Sequence, residues 1–553
     1  MSYSELADLI FPEVKCVSYY EEKYPKRNLD QGAEVTRFAP SPTGFIHLGG
    51  LFGSTIDKKI ASQSNGICIL RIEDTDQKRE VEDGTIQIIN SLKEFNIEFD
   101  EGPISETEQI GNYGPYKQSE RKDIYQAYAK HLIKNELAYP CFATPEELEQ
   151  MRHNQEKAKI RPGYYGIWAQ YRNLPIPEAI ERIKKGEKYI IRFKSWGNEN
   201  RKIKHHDLIK GNIEFPENDQ DIVIIKADGL PTYHFAHVVD DHLMGTTIVI
   251  RGEEWVSSIP LHLQLFQALE FKPPKYAHTA TIMKEDNGGK RKLSKRKDPE
   301  AAISYYSMIG VPVEAVNEYL LNLINSNFEN WRKSNKDKSV DEFKIELNKM
   351  SISGALFDMV KLLDISKNMI SKYSSEKVYK QALCWAEKYD LELANMLQDD
   401  KPYALKVLGI ERGNIKPRKD ISKWSDIKET INYMYKEKFN TESINYEFQK
   451  INNKDEIKKI LNMYLDQYYN PNDNKETWFN KIKDLTEQLG DYAREVKDFK
   501  KEPTKYKGHV GDISMVLRIA LTGRQNTPDM YEIMQVLGKD QIEERFKKCI
   551  KSI

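Results

Sequence analysis

Arg37-Phe38-Ala39-Pro40-Ser41-Pro42-Thr43-Gly44-Phe45-Ile46-His47-Leu48-Gly49-Gly50 is the stretch that decides how the rest of the chain is read. The apolar run Val35–Phe38 is strand-like, the Pro/Gly turn breaks it sharply, and a helical stretch from about Leu48 to Ser64 follows. Asn65-Gly66 stops that helix before a second strand at Ile67–Ile72. Strand, turn, helix and strand open a parallel α/β sheet. The turn also carries chemistry. N–H groups at a helix N-terminus face anions, Gly49 and Gly50 leave room for a flat base or a phosphate, and His47 stands where it would donate to one. On its own, a Pro/Gly turn with one histidine is most often a plain surface loop; the rest of the chain changes that.

Beyond Gly111 the pattern shifts. A helix with Ile124, Tyr128 and Leu132 on one face, a helix start at Thr144-Pro145-Glu146-Glu147 and a strand-like Tyr189–Phe193 read as a subdomain inserted between Gly111 and about Lys226. The runs Ile222–Ile225 and Ile248–Ile250 are expected to resume the first sheet. From about Met350 the chain is expected to be all-helical. Ile457, Ile460, Leu461, Tyr464, Leu465 and Tyr468 follow helical spacing up to Asn470-Pro471, and Trp478, Ile482, Leu485 and Leu489 repeat it.

With 553 residues the chain exceeds one hydrophobic core, and roughly three to five domains are expected. Hydrophobic residues make up 39% and charged residues 31%, no apolar run approaches the ~20 residues of a membrane helix, and the N-terminus lacks the basic-then-apolar order of a secretory signal. A cytoplasmic location, with no membrane partner, is the expectation. Cys16, Cys68, Cys141, Cys384 and Cys549 form no C-x-x-C pair, so zinc is not expected. The net charge of -1 does not exclude a nucleic-acid partner, because such binding needs a local basic surface and not a basic total.

One such cluster is Lys292-Leu293-Ser294-Lys295-Arg296, inside Lys284–Lys297, where seven basic residues occupy fourteen positions beside Gly288 and Gly289. A charge run is usually a solvated face. Lysines beside a glycine hinge also suit a loop that closes on a triphosphate, where the protein positions groups and neutralises charge on leaving phosphates. Neither G-x-x-x-x-G-K-[ST] nor a G-x-G-x-x-G after a strand is present to compete.

Together the A-P-S-P-T-G-x-x-H-L-G-G and K-L-S-K-R segments resemble the two signatures of class I aminoacyl-tRNA synthetases, the first in the form used by glutamyl-tRNA synthetases. Arg71-Ile72-Glu73-Asp74-Thr75-Asp76 and Asp228–Ala236, running through Asp240-Asp241-His242-Leu243-Met244 to Ile250-Arg251-Gly252-Glu253-Glu254-Trp255, match that family in the same order. Leu517–Arg524 extends the likeness, so it covers nearly the whole chain from about Glu34.

The resemblance implies a Rossmann-like parallel-sheet catalytic domain, 34–110 and 227–283, split by an acceptor-end-binding α/β subdomain at 111–226. A signature loop and stem-contact domain at 284–349 and an all-helical anticodon-binding region at 350–553 complete it. Residues 1–33 form an N-terminal extension that precedes the usual family start and is expected to pack on the catalytic domain.

The substrates implied are ATP with Mg2+, L-glutamate and tRNA(Glu), with tRNA(Gln) as a second acceptor left open, in a chain expected to be a monomer. His47, Lys292 and Lys295 are the implied catalytic residues. With Pro40, Thr43, Gly44, Gly49, Gly50, Trp255, Leu293 and Ser294 they form the implied ATP site. Glutamate presents two carboxylates and an ammonium, so its site needs cations and an anion. Arg37 and Arg251 are the implied cations, Glu73 the ammonium partner, and Ser41 and Tyr233 hydrogen-bonding groups. His237 is also implied in the glutamate site, where many members carry Asn in the pocket, which exchanges a neutral amide for a titratable ring. Family members typically need tRNA bound before they activate glutamate.

A glutaminyl-tRNA synthetase would carry an H-I-G-H ending and a β-barrel anticodon region, and the short paralogue that glutamylates queuosine lacks a long C-terminal region. A catalytically dead RNA-binding paralogue is disfavoured by the retained His47, Glu73, Arg251, Lys292 and Lys295. Asp240-Asp241 is read as structural or RNA-positioning. Lys416-Pro417-Arg418-Lys419 beside Trp424 is read as an exposed basic turn over a buried tryptophan, with RNA contact as the second reading.

Overall fold

Strand Val35–Phe38 lies parallel to Ile67–Leu70 in the register Val35–Ile67 to Phe38–Leu70, joined across the helix Leu48–Gln63. The computed structural model describes residues 2–76, 81–294, 296–441 and 444–553. They fall into two units: residues 1–305 with 317–358, and 306–316 with 359–553.

In the first unit a second parallel pair, Ile248–Gly252 with Lys275–Thr279, stands beside the first, because Thr247 donates its N–H to Val35 O at 2.9 Å. The four strands converge on one end of the sheet, where Arg37 and Arg251 sit. The helix Leu48–Gln63 buries Leu51, Phe52, Ile56 and Ile60 at i, i+1, i+5 and i+9 along one stripe against the strands.

The excursion between the two pairs is in two pieces. Ala138–Cys141, Ile190–Phe193 and Val223–Ile225 make an antiparallel sheet of their own over the helix Lys122–Lys134. The run Ile222–Ile225 therefore does not resume the first sheet as expected: it completes the antiparallel one, pairing with Ile191 and Arg192. Its partner run, Ile248–Ile250, does continue the parallel arrangement. The other piece is the hairpin Lys202–Asp207 and Gly211–Pro216, which leaves the antiparallel sheet and extends the parallel one through a pairing of Asp207 with Tyr276. Local sequence does not specify which sheet a strand joins, since the period-2 pattern describes faces and not partners.

The N-terminal helices Tyr3–Ile10 and Val17–Lys23 pack mainly on the helix Lys122–Lys134. Arg27 then clamps the half that carries the parallel strands: its guanidinium holds Glu101 with two bonds of 2.7 Å, donates to Met244 O at 2.6 Å and lies 3.8 Å over the Tyr113 ring.

The second unit is helical around one buried cluster that includes Trp424, Trp478, Leu517 and Phe546. Among its described residues it departs from an all-helical reading in a two-residue parallel pair, Tyr492–Ala493 with Gly508–His509. Trp424 is buried and donates its N–H to Gly310 O, Arg418 turns inward onto Asp420, and Lys416 and Lys419 are exposed.

Candidate functional site

The helix Leu48–Gln63 begins with His47 as its N-cap, and the ring Nδ1 accepts the Gly50 N–H at 3.1 Å. An accepting Nδ1 puts the ring proton on Nε2, so capping fixes the tautomer that can donate. Gly49 is required by the same geometry, since a Cβ there would sit 2.9 Å from the His47 ring. Gly44, with φ of +133°, adopts a backbone that side chains resist.

Across from this turn lies the segment expected as a flexible basic loop, and it is a hairpin. Met283–Asp286 pairs with Gly289–Lys292 through Asn287-Gly288, both at positive φ, the two-residue turn that an Asn-Gly pair favours. Asp298 organises it, accepting from Arg291 at 2.6 and 2.8 Å, from Ser294 N–H at 2.8 Å and from Lys284 at 3.2 Å. Lys284 and Arg291 are thus committed to carboxylates, while Lys292 and Arg296 line the cleft. Lys295 lies outside the described residues.

The cleft has a volume of about 960 Å³, at the upper end for a small-molecule site and enough for a nucleotide with an amino acid. Pro40, Ser41, Thr43, Gly44, His47, Gly49 and Gly50 line it from the turn; Lys292, Leu293, Ser294 and Trp255 line it as well, with the buried or half-buried Arg37, Glu73, Tyr233 and Arg251. Of the described residues named from sequence, His237 alone is not on its wall. It is fully buried behind Tyr233, ring stacked on ring, with Nε2 3.0 Å from Tyr276 OH and Nδ1 2.7 Å from Asp241.

Beneath the cleft is a buried charge network. Asp241 faces Arg71 at 2.6 Å, Arg37 Nε at 3.3 Å and His237, and Asp240 accepts from Arg121, Gln118 and Tyr125. Burial would raise Asp241, yet Arg71, Arg37 and His237 hold it well below the usual carboxylate range. Glu73 touches Arg71 at 3.2 Å, and burial raises its pKa despite that neighbour. Asp57, which sequence reasoning passed over, also lines the cleft; it is 1% exposed, its Oδ1 has no hydrogen-bond partner, and burial pushes it well above the usual range. It lies two turns past Gly50 on the same helix, and four residues past Gly53, a spacing that places it on the buried face with Ile56 and Ile60.

Arg251 is held differently. Its Nε donates to His278 at 3.0 Å, one terminal nitrogen reaches Tyr233 OH at 3.2 Å, both lie 3.3 Å from His262 Nδ1, and one donates to Trp255 O. His262 in turn meets His234 at 2.9 Å. Burial lowers all four of these histidines, His234 to about 4, His237 to about 3, and His262 and His278 in the same direction, so each is neutral near pH 7. Sequence reasoning missed His262 and His278, which lie outside every motif.

Among the described residues no cluster of three His, Cys, Asp or Glu side chains could hold a metal, and no helix is long and apolar enough to cross a membrane.

The profile described as tRNA synthetases class I (E and Q), catalytic domain, matches residues 34–379, and one described as an anticodon binding domain matches 392–550. A glutamate–tRNA ligase of Clostridium perfringens strain SM101 is 53% identical over 552 residues, covering all of both chains. One from Acetivibrio thermocellus is 50% identical with the same coverage. The crystal structure of a glutamate tRNA ligase from Elizabethkingia meningosepticum, in complex with its amino acid, superposes with a TM-score of 0.75 at 28% identity, covering 94% of this chain and 99% of that one.

Proposed function

This chain belongs to the class I tRNA synthetases of the E and Q family, as a glutamate–tRNA ligase, and from that premise we propose how its cleft performs the two steps of charging. Glutamate lies deep, its side-chain carboxylate on Arg251 and Tyr233, its α-carboxylate near Arg37 and Ser41, and its ammonium on Glu73. ATP lies along Pro40–Gly50, its base against the glycines and Trp255, its phosphates between His47 Nε2–H and Lys292; Lys295, outside the described residues, is proposed as a further phosphate partner from the K-L-S-K-R segment alone.

An α-carboxylate oxygen attacks the α-phosphorus, pyrophosphate leaves, and a ribose hydroxyl of the tRNA 3′-terminal adenosine attacks the carbonyl carbon of the mixed anhydride, releasing AMP. The side chains place the carboxylate in line and stabilise charge on the departing phosphates. The cleft offers these phosphates His47 and Lys292, and Mg2+ carried on ATP would supply further charge neutralisation there.

The observation that carries this reading is the convergence of Arg37, Glu73, Tyr233 and Arg251 at the end of one cleft whose mouth is His47 and Lys292. It is tested by charging purified tRNA(Glu) and tRNA(Gln) with labelled glutamate. We propose tRNA(Glu) as the acceptor; esterification of tRNA(Gln) at a comparable rate would make the enzyme non-discriminating. Lys295→Ala is expected to abolish charging of a folded protein. The chain is proposed to act in the cytoplasm as a monomer, and ATP–pyrophosphate exchange is expected to need tRNA.

A further inference from the structure

Every other arginine beneath the cleft is neutralised: Arg37, Arg71 and Arg121 each sit within 3.3 Å of an aspartate. Arg251 is the exception. Among the described residues no carboxylate lies within 4 Å of its guanidinium, and its partners are two imidazoles, a phenol and a carbonyl, with the Tyr276 ring 5.0 Å away. These groups orient the cation without cancelling its charge.

The orientation traces back to the hairpin 202–216. Asp207, fully buried, accepts the N–H groups of Ile209 and Lys210 at 2.9 and 2.8 Å and that of His278 at 3.1 Å, and its Oδ2 lies 2.6 Å from His278 Nδ1. A carboxylate there makes Nδ1 the proton-bearing nitrogen and leaves Nε2 with a lone pair. Arg251 Nε–H can only donate, so this is the one neutral tautomer that the 3.0 Å contact accepts.

We propose that Asp207 and His278 are positioning residues for amino-acid selection: Asp207 sets the His278 tautomer, His278 aims Arg251, and the guanidinium reaches the pocket with its charge unspent on the protein. A substrate carboxylate then supplies the missing counter-charge, and an isosteric amide leaves the cation unmatched. This rests on Arg251 as the side-chain carboxylate partner. It also gives the hairpin inside the insertion a role in the glutamate pocket.

The experiment is steady-state charging with glutamate and ATP varied separately, and glutamine as the competitor amino acid. Asp207→Asn lets His278 carry its proton on Nε2, setting N–H against N–H. A rise of about tenfold or more in KM for glutamate is expected, with KM for ATP and kcat at saturating glutamate within about twofold and weaker preference for glutamate over glutamine. His278→Gln offers a carbonyl to Arg251 whatever stands at 207, so adding Asp207→Asn to it is expected to change nothing further, whereas His278→Phe is expected to raise KM for glutamate as Asp207→Asn does. If Asp207→Asn does not fold, the His278→Gln and His278→Phe pair carries the test. The relay is overturned if Asp207→Asn, or His278→Phe, leaves KM for glutamate unchanged, or shifts KM for ATP equally, while Arg251→Ala removes charging. An Arg251→Ala enzyme with unaltered KM for glutamate overturns instead the assignment of Arg251 itself.

Discussion

Arg71 and Asp241 meet at 2.6 Å with neither side chain exposed to solvent, and Asp241 serves Arg37 and His237 as well. Asp241 is thus shared between two buried guanidinium groups, with Glu73 at 3.2 Å and Asp240 at 3.9 Å as the other carboxylates beside Arg71.

Asp241→Asn keeps the shape and removes the charge. Breaking a buried pair leaves an uncompensated ion, which costs about 3–5 kcal/mol. Urea unfolding of the full chain is expected to show a loss of that size, and Arg71→Met added to it is expected to cost less than the sum of the two single changes.

Acid should weaken the fold well above the range where carboxylates titrate. His234, His237 and His262 are held neutral by burial, at about 4, about 3 and well below the ordinary value. Once unfolded they bind protons below about 6.5, so the unfolded state gains close to three protons over the folded one near pH 5 by these residues alone (about one each). Stability falls as pH drops from about 6.5 toward 4. Asp207 does not contribute there: burial opposes it, but His278 and the backbone N–H groups hold it at about 2, so its support is full above about 3.8 and fades only as pH falls through 2. Urea midpoints at pH 7.5, 6.5, 5.5 and 4.5 measure the slope, and a flat profile down to pH 5 contradicts the neutral cluster.

His47 has two duties that substitution can separate. As N-cap it is worth about 1 kcal/mol, and Asn caps as well. His47→Asn is expected to melt within about 2 °C of the parent while losing about 10²–10³-fold in the rate of adenylate formation with tRNA present. His47→Ala should lose both, and equal rates for Asn and His would remove the phosphate contact.

Arg27 ties residues 1–33 to Glu101 and to the carbonyl of Met244, next in sequence to the helix that carries Asp240 and Asp241. Both side chains are about nine-tenths buried, so Arg27→Met is expected to destabilise the chain by about 3 kcal/mol. Differential scanning fluorimetry measures it; a change below about 1 °C would make the extension an ornament on the insertion.

The strand, turn and helix around Pro40–Gly50 were legible because a Pro/Gly turn between an apolar run and a helical period is local information. The fourth wall of the pocket was not. His262 lies in a helix between Leu261 and Leu263, and His278 in the strand Lys275–Thr279, where a histidine reads as ordinary core. Asp207 ends a strand whose hydrogen-bonded partner at Tyr276 is 69 residues away. The hairpin at Asn287-Gly288 did carry its signal, an Asn-Gly pair between strand-length segments, hidden by attention to the charges around it. His237 was expected in the pocket from the resemblance, but its ring packs behind Tyr233 and faces Asp241 and Tyr276.

Val35 binds Thr247 across 212 positions of chain, its N–H on the threonine hydroxyl at 2.8 Å. During synthesis at about 5–20 residues per second, the first-made half of the cleft waits roughly ten to forty seconds for the half that completes its sheet. Until then the strand Val35–Phe38 has an unpaired edge and the buried arginines at 37 and 71 lack Asp241. The nascent protein is therefore most exposed to misassembly while the insertion is being made, and a pause placed after residue 279 would serve it better than one placed before.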